Sequence, residues 1–269
     1  MNLTKEFLVK SGKKVKLARL NPNYTAGFKH REAAEQKLQE NIARLTELQY
    51  LLYAEKKRSL LIVLQAMDAG GKDGTVRHVM SGLNPQSCRV TSFKQPSAEE
   101  MAHDYLWRIH NAMPEKGEIE IFNRSHYEDV LVVRVHNLVP KSEWSKRYDQ
   151  INAFESVLAG NSVKIVKFFL HISKDEQKKR FQERLQDPTK NWKISPADFE
   201  ERKYWDDYIE AYEDALSRCS TPEAPWFIIP ANHKWFRNLA VSRIIVETLE
   251  AMDMKFPPPV CDVSKIVIK

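Results

Sequence analysis

The chain alternates between short apolar runs and longer segments in which apolar residues recur every three or four positions. The apolar runs predict strands at 60–65, 89–93, 118–122, 163–172 and 226–229. The segments with helical spacing predict helices at 32–53, 72–83, 98–111, 126–136, 142–159, 174–186, 196–217 and 235–254. Strands that alternate with helices favour a parallel α/β sheet with right-handed crossovers, and such sheets bind ligands at the carboxyl ends of their strands.

A single domain accommodates this pattern over all 269 residues. The first 25 residues are basic and lack periodicity, which indicates extended chain. Residues 1–55 are interpreted as an N-terminal extension with its helix, and residues 174–217 as a strongly charged helical region within the domain.

The composition is that of an ordinary globular protein, with 42% hydrophobic and 29% charged residues. No apolar run approaches the roughly 20 residues that a membrane helix needs, and no signal peptide is recognisable at the N-terminus. The three cysteines, Cys88, Cys219 and Cys261, are odd in number and far apart. They predict neither a disulfide framework nor a metal cluster, and a reducing cytoplasm fits.

The formal net charge is +6 and the sequence pI is about 9.0. A nucleic acid, a membrane surface or a polyanionic substrate would each explain this charge, and so would a solvated lysine-rich surface. The charge alone does not choose among them, but its placement beside a phosphate loop does.

That loop follows the first predicted strand, where the apolar run ends abruptly in a glycine-rich turn. It consists of Asp68, Ala69, Gly70, Gly71, Lys72, Asp73, Gly74 and Thr75. Glycines let the backbone wrap closely around a ligand, and backbone N–H groups beside a helix N-terminus bind phosphate oxygens. With a lysine adding positive charge, phosphoryl transfer is the first hypothesis.

The loop departs from the ordinary P-loop pattern at two positions. Ala66 stands where glycine is expected, and Asp73 where a serine or threonine would place a hydroxyl on Mg²⁺. Asp68 would repel bound phosphates unless a metal lay between them. Metal binding by these two carboxylates has an alternative in each case. Asp68 could stabilise the turn by a hydrogen bond to its own backbone. Asp73 could only stabilise the start of the next helix, where a negative charge is favourable.

A second group of polar residues follows the strand at 118–122. Arg124 would emerge at the carboxyl end of the sheet, where a guanidinium suits phosphate. The alternative is a salt bridge to Glu128 or Asp129. Ser125 could cap the next helix in a capping box with Glu128, which competes with a catalytic role for Glu128.

Several ordered blocks resemble the polyphosphate kinase 2 family. They are AMDAGGKDGT, FNRSHYEDVLVVRV, DYLWR, KFFLHISKDEQKKRF and APWFIIPANHKW, and the resemblance runs from about Asn23 to Lys269. It implies a three-layer, thymidylate kinase-like P-loop kinase fold with a helical lid at 174–217. It also implies phosphoryl transfer between inorganic polyphosphate and a nucleotide with Mg²⁺, for which Mn²⁺ can substitute. The HYEDVLV block is most similar to the subgroup that acts on both AMP and ADP.

The resemblance and the local chemistry together assign the site. Catalytic roles fall to Asp68, Lys72, Arg124, Glu128 and Asp129. Metal binding falls to Asp68 and Asp129, because Asn123 replaces an aspartate that binds metal in many members. Substrate-binding roles fall to Ala69, Gly70, Gly71, Lys72, Asp73, Gly74, Thr75, Asp104, Arg108, Asn123, Arg180 and Arg184. Asp104 and Arg108 are expected on the nucleotide side, and Arg180 and Arg184 in the lid.

Two other functions compete with this one. An ATP-driven kinase for a nucleoside monophosphate or another small acceptor would use the same loop. A module that binds a nucleic-acid backbone is disfavoured, because the paired carboxylates would repel it without a metal. The family resemblance further implies a homodimer or a homotetramer.

Overall fold

Five parallel strands form the sheet that the apolar runs predict. The computed structural model describes residues 2–266, and the strands in it are β1 (Ser59–Gln65), β2 (Cys88–Ser92), β3 (Ile119–Asn123), β4 (Val163–His171) and β5 (Trp226–Pro230). The strand order is β2-β3-β1-β4-β5, with every neighbouring pair parallel. The central strand β1 is buried on both faces, which explains its continuous apolar run.

Helices flank the sheet. They are α1 (Leu3–Phe7), α2 (Arg31–Glu55), α3 (Lys72–Val79), α4 (Ala98–Met101), α5 (Trp107–Asn111), α6 (Val132–Val135), α7 (Lys141–Gly160), α8 (Lys174–Gln186), α9 (Pro196–Glu201), α10 (Trp205–Arg218) and α11 (Lys234–Glu250). Helix α11 packs against α2 and α3, and α7 packs against β4. None of the helices within residues 2–266 combines the length and apolar character needed to cross a membrane.

Two predicted helices are interrupted, and both interruptions shape the site. The helix expected at 98–111 is split into α4 and α5, because Asp104 accepts a hydrogen bond from the backbone N–H of Leu106 and turns the chain. The helix expected at 126–136 is split into a 3₁₀ turn, His126–Val130, and α6. The break lies at Leu131, whose φ of −107° and ψ of −85° are not helical.

The other differences are smaller. Helix α3 ends at Val79, earlier than predicted, and the helix expected at 196–217 consists of α9, a 3₁₀ turn at Arg202–Tyr204 and α10. The N-terminal segment is not extended throughout, since Asn2 caps the short helix α1. Five residues are too few for periodicity to reveal a helix. Beyond it, the N–H of Val9 donates to the carbonyl of Trp226, so this segment covers the outer edge of β5.

Candidate active site

The loop between β1 and α3 lies at the carboxyl end of the central strand. Its backbone is left-handed at Ala69, with φ of 58°, and at Gly71, with φ of 106°. Helix α3 starts directly after Gly71, so its free N–H groups and its dipole lie beside the loop. A helix N-terminus beside a glycine-rich turn is the geometry that suits phosphate oxygens.

Lys72 folds back across the loop. Its Nζ donates to the carbonyl oxygen of Ala66 at 3.1 Å. Burial lowers the pKa of Lys72 to about 8, and the positive charge of Arg124 acts in the same direction. An anion bound at the loop would favour the charged form of this lysine, so phosphate binding and Lys72 protonation reinforce each other.

Arg124 joins two carboxylates beside the loop. Its Nη2 lies 2.7 Å from Asp68 Oδ1, and its Nη1 lies 3.3 Å from Glu128 Oε2. Nearby Glu128 and Asp68 raise the pKa of Arg124 further above its usual range, against the effect of burial. The φ of Arg124 is 66°, a conformation that is strained for a residue with a side chain. The salt bridge considered as an alternative is therefore present, and it involves both Glu128 and Asp68.

Glu128 does not form the capping box with Ser125. The Ser125 hydroxyl accepts from the N–H of Tyr127 instead, which leaves the Glu128 carboxylate to Arg124. Asp68, Arg124 and Glu128 line a small cavity, here called the loop cavity, together with Gln177 from α8 and Tyr208 and Tyr212 from α10.

The side chains of Asp73 and Asn123 form a direct hydrogen bond. The Nδ2 of Asn123 donates to Asp73 Oδ1 at 2.8 Å, and Lys193 Nζ lies 3.7 Å from Asp73 Oδ2. Asp73 lies in the first turn of α3 but makes no capping hydrogen bond at its N-terminus. Two oxygen-bearing side chains, one from the first turn of α3 and one from the end of β3, thus lie next to each other.

A second, larger cavity of about 940 Å³, here called the large cavity, lies beyond the ends of β2 and β3. Asp104, Arg108, Asp129 and Arg147 line it. Arg147 Nη1 lies 2.8 Å from Asp129 Oδ1, and the Arg147 guanidinium lies 4.7 Å from the centre of the Tyr105 ring. Since Glu100 and Glu143 also line it, the cavity offers two guanidinium groups and four carboxylates, which suits a charged and hydroxylated ligand.

Sequence reasoning missed Arg147. The predicted helix at 142–159 carries Trp144, Tyr148 and Ile151 on its apolar side, and Arg147 lies three residues after the first and four before the last. A charged residue at a position on the apolar face was the signal that could have revealed it.

The structure does not bring Asp129 to Asp68. Asp68 and Glu128 line the loop cavity, whereas Asp129 lines the large cavity and pairs with Arg147. The two consecutive acids point to different sides because they lie in a tight 3₁₀ turn with about 120° between successive residues. The acid that shares Arg124 with Asp68 is Glu128, and not Asp129, which was expected to complete a metal site with Asp68.

The two predicted lid arginines have different surroundings. Arg180 is buried and donates to the carbonyl oxygens of Ala69 at 2.9 Å and Gly70 at 3.0 Å. It supports the loop from outside rather than closing over a ligand, because these carbonyls have no partner within a helix or strand and need donors. Arg184 lies near the 3₁₀ turn at Asn191–Lys193, with its Nη1 3.5 Å from the carbonyl oxygen of Lys193.

The environment of Asp129 predicts a pH dependence of stability. Burial raises the pKa of Asp129 from 3.8 to about 6, although Arg147 and Arg108 oppose the shift. The folded protein then binds this proton more tightly than the unfolded chain, so the contribution of Asp129 to stability is lost as pH rises from about 4 to about 6. We expect the free energy of unfolding of wild type, relative to Asp129→Asn, to fall by about 2 kcal/mol between pH 4.5 and 7.

Urea unfolding at several pH values measures this difference. Asp149→Asn is the matched control, since Asp149 is an exposed acid on the same helix as Arg147. If the free energies of unfolding of wild type and Asp129→Asn change in parallel over this pH range, the pKa of Asp129 is not raised.

Comparison with known proteins agrees with the fold and the loop. The family model described as polyphosphate kinase 2 matches residues 28–257. The AMP/ADP-polyphosphate phosphotransferase of Meiothermus ruber is 53% identical over 266 residues, which cover 98% of this chain and 100% of that protein. The ADP-polyphosphate phosphotransferase of Rhodopseudomonas palustris is 49% identical, over 94% of this chain and 92% of its own.

A solved structure extends the comparison to three dimensions. The crystal structure of polyphosphate kinase 2 from Arthrobacter aurescens TC1 superimposes with a TM-score of 0.94 at 43% identity, covering 98% of this chain and 94% of that one. The resemblance predicted from the glycine loop and the HYEDVLV block is therefore confirmed, and the chain belongs to the polyphosphate kinase 2 family.

Proposed function

We propose that this protein is a polyphosphate-dependent nucleotide kinase that transfers phosphoryl groups reversibly from inorganic polyphosphate to AMP and ADP. The observation that carries the proposal is the placement of two sites on either side of one turn. The loop cavity, lined by Asp68, Arg124 and Glu128, lies on one side of the turn at His126–Val130, and the large cavity lies on the other. Relatives at 53% and 49% identity bear the names of AMP/ADP- and ADP-polyphosphate phosphotransferases.

The donor binds at the loop. Phosphoryl transfer requires in-line positioning and neutralisation of charge more than covalent chemistry. The backbone N–H groups at the start of α3, Lys72 and Arg124 supply donors and positive charge there. Lys193 and Arg184 add basic residues on the lid side, above Asp73.

The acceptor nucleotide binds in the large cavity. Its volume of about 940 Å³ is in the range of small-molecule sites. Arg108 and Arg147 would hold the nucleotide phosphate, since a guanidinium bonds phosphate with two parallel donors. Asp104 and Asp129 would accept hydrogen bonds from the sugar or the base.

The residues at the loop fit Mg²⁺ or Mn²⁺ that arrives with the phosphates. Within residues 2–266, no cluster of three or more histidine, cysteine or acidic residues could hold a metal alone. Mg²⁺ commonly uses one or two carboxylates together with substrate phosphates, and Asp68, Glu128 and Asp73 offer such carboxylates. When bound, the ion would neutralise the negative charge of the transferring phosphoryl group.

An Asn123→Asp variant tests the metal proposal without an activity assay. The new carboxylate would face Asp73 where Asn123 now donates a hydrogen bond at 2.8 Å. We expect a loss of about 1 kcal/mol in stability without metal, and recovery on adding Mg²⁺. Thermal unfolding with and without MgCl₂ measures both effects.

Asn123→Ala is the control for that experiment, because it removes the hydrogen bond without adding charge. Its melting temperature should not recover with Mg²⁺. If Mg²⁺ raises the melting temperatures of wild type and Asn123→Asp equally, the metal does not bind between these residues.

The identity of the phosphoryl donor distinguishes the proposed function from the alternative, an ATP-driven kinase. Initial rates of ADP formation from AMP are compared with long-chain polyphosphate and with ATP at equal concentrations of donor chains. The proposal expects polyphosphate to be the better donor and its rate to fall steeply with added salt, because a long polyanion contacts many cations. A faster, salt-insensitive reaction with ATP would favour the alternative.

We also propose a cytoplasmic location and assembly into a homodimer or homotetramer. The three cysteines are unpaired, as suits a reducing compartment. Light scattering of the purified protein would give the number of subunits.

A further inference from the structure

Arg237 on helix α11 lies directly behind the phosphate loop. It is 2% exposed, and none of the site residues predicted from the sequence included it. Its Nη1 lies 2.0 Å from the position that a Cβ atom on Gly71 would occupy, and its Nη2 lies 3.2 Å from the corresponding position on Gly74. Glycine is therefore required at positions 71 and 74 partly because this guanidinium fills the space that a side chain there would occupy.

The charge of Arg237 has no acidic partner. Within the part of the chain that the structure describes, no carboxylate lies within 4 Å of its guanidinium. Its Nε and Nη2 donate instead to the neutral Oδ1 of Asn238, at 3.1 and 2.7 Å. A buried arginine is normally paired, because an uncompensated buried charge costs several kcal/mol.

A second arginine lies beside Arg237, although its own charge is paired with Glu176 at 2.8 Å. Arg180 also reaches the back of the loop, with Nη1 3.5 Å from the Cβ position of Gly71. Burial and the charge of Arg180 lower the pKa of Arg237 to about 9. The buried charge of Arg237 destabilises the protein when no anion is bound at the loop. An anion bound there would offset this cost.

We propose that Arg237 is a positioning residue for inorganic polyphosphate, a fixed positive charge that backs the loop and strengthens its binding of phosphate without touching it. Asn238 holds the guanidinium in place and, being neutral, leaves its charge directed at the loop. A fixed charge in a water-excluded site acts over a longer distance than one in solvent. This inference rests on the proposed function, since polyphosphate is the anion it invokes.

An Asn238→Asp variant tests the inference with almost no change of shape. The new carboxylate would keep both hydrogen bonds to Arg237 and neutralise its charge. We expect the free protein to become more heat-stable, while binding of inorganic tripolyphosphate, measured by calorimetry at low salt, weakens at least tenfold. Binding of AMP in the large cavity should change less than twofold. A merely structural role for Arg237 predicts unchanged tripolyphosphate binding.

Two substitutions of Arg237 itself complete the test. Arg237→Met should lose at least tenfold in tripolyphosphate affinity, and Arg237→Lys, whose ammonium loses its proton more readily in a buried site, should recover only part of that loss. Arg243→Met is the control, because Arg243 lies on the same helix but is exposed and paired with Glu247. If Arg237→Met does not fold, Asn238→Asp and Arg237→Lys decide the question.

The outcomes separate the two proposals. Wild type that binds tripolyphosphate no better than Asn238→Asp overturns the role of Arg237 and leaves the proposed function standing. Wild type that does not bind tripolyphosphate at all overturns the proposed function and this inference with it.

Discussion

Replacing Lys72 with methionine is expected to lower kcat for polyphosphate-driven transfer by at least about 10³-fold, which corresponds to roughly 4 kcal/mol of transition-state stabilisation. Lys72 is the cation that folds across the loop, with Nζ bonded to the carbonyl oxygen of Ala66. Methionine has a similar length but cannot donate a hydrogen bond or neutralise charge. Because burial lowers the pKa of Lys72 to about 8, the charged lysine costs stability, and its removal should not lower the melting temperature.

Rates of ADP formation and circular dichroism on the same preparation measure both parts of this prediction. Lys255→Met is the matched control, since the Lys255 side chain is exposed and lies 3.7 Å from the equally exposed Asp253. The control should retain full activity. A Lys72→Met enzyme with more than a tenth of wild-type kcat would remove Lys72 from the catalytic group.

Replacing Arg124 with methionine should lower kcat/KM for polyphosphate by about 10²–10³-fold. Two effects combine. The guanidinium that would contact phosphate is lost, and Asp68 and Glu128, now paired with it at 2.7 and 3.3 Å, are left as uncompensated carboxylates that repel the donor. We therefore expect KM for polyphosphate to rise as well as kcat to fall.

Arg124→Lys distinguishes charge from geometry. Lysine restores one positive charge but cannot bridge two carboxylates or hold phosphate with a planar pair of donors. It should recover only part of the loss, mainly in KM. Full recovery would show that Arg124 acts only as a charge. Unchanged kinetics in Arg124→Met would place the residue outside the donor site.

Sequence reasoning predicted correctly those features that are determined by residues adjacent in the chain. The strand β1, its glycine turn and Lys72 form one continuous stretch, so their relation follows from local geometry. Arg124 could likewise be placed at a strand end, because it directly follows β3. The family resemblance was recognisable for the same reason, since its motifs are short and contiguous.

The parts that were missed depend on contacts between distant segments or on turn geometry. Arg180 was assigned to the lid, but its donors are used by carbonyls of the loop, about 110 residues earlier. The sequence around Arg237 does not mark it as a site residue. Its guanidinium lies beside the loop only because Gly71 and Gly74, far away in the chain, have no side chains. The surroundings of Asp129 depended on Arg147, which comes from a different helix, 18 residues later in the chain.

The most direct test of the central claim is a time course with purified protein, Mg²⁺, long-chain polyphosphate and AMP, resolved by anion-exchange chromatography. Lys72→Met is run in parallel to exclude a contaminating kinase. Wild type is expected to form ADP first and then ATP, and the variant to form neither at a comparable rate. No transfer from polyphosphate by wild type, either to AMP or to ADP added in its place, would contradict it.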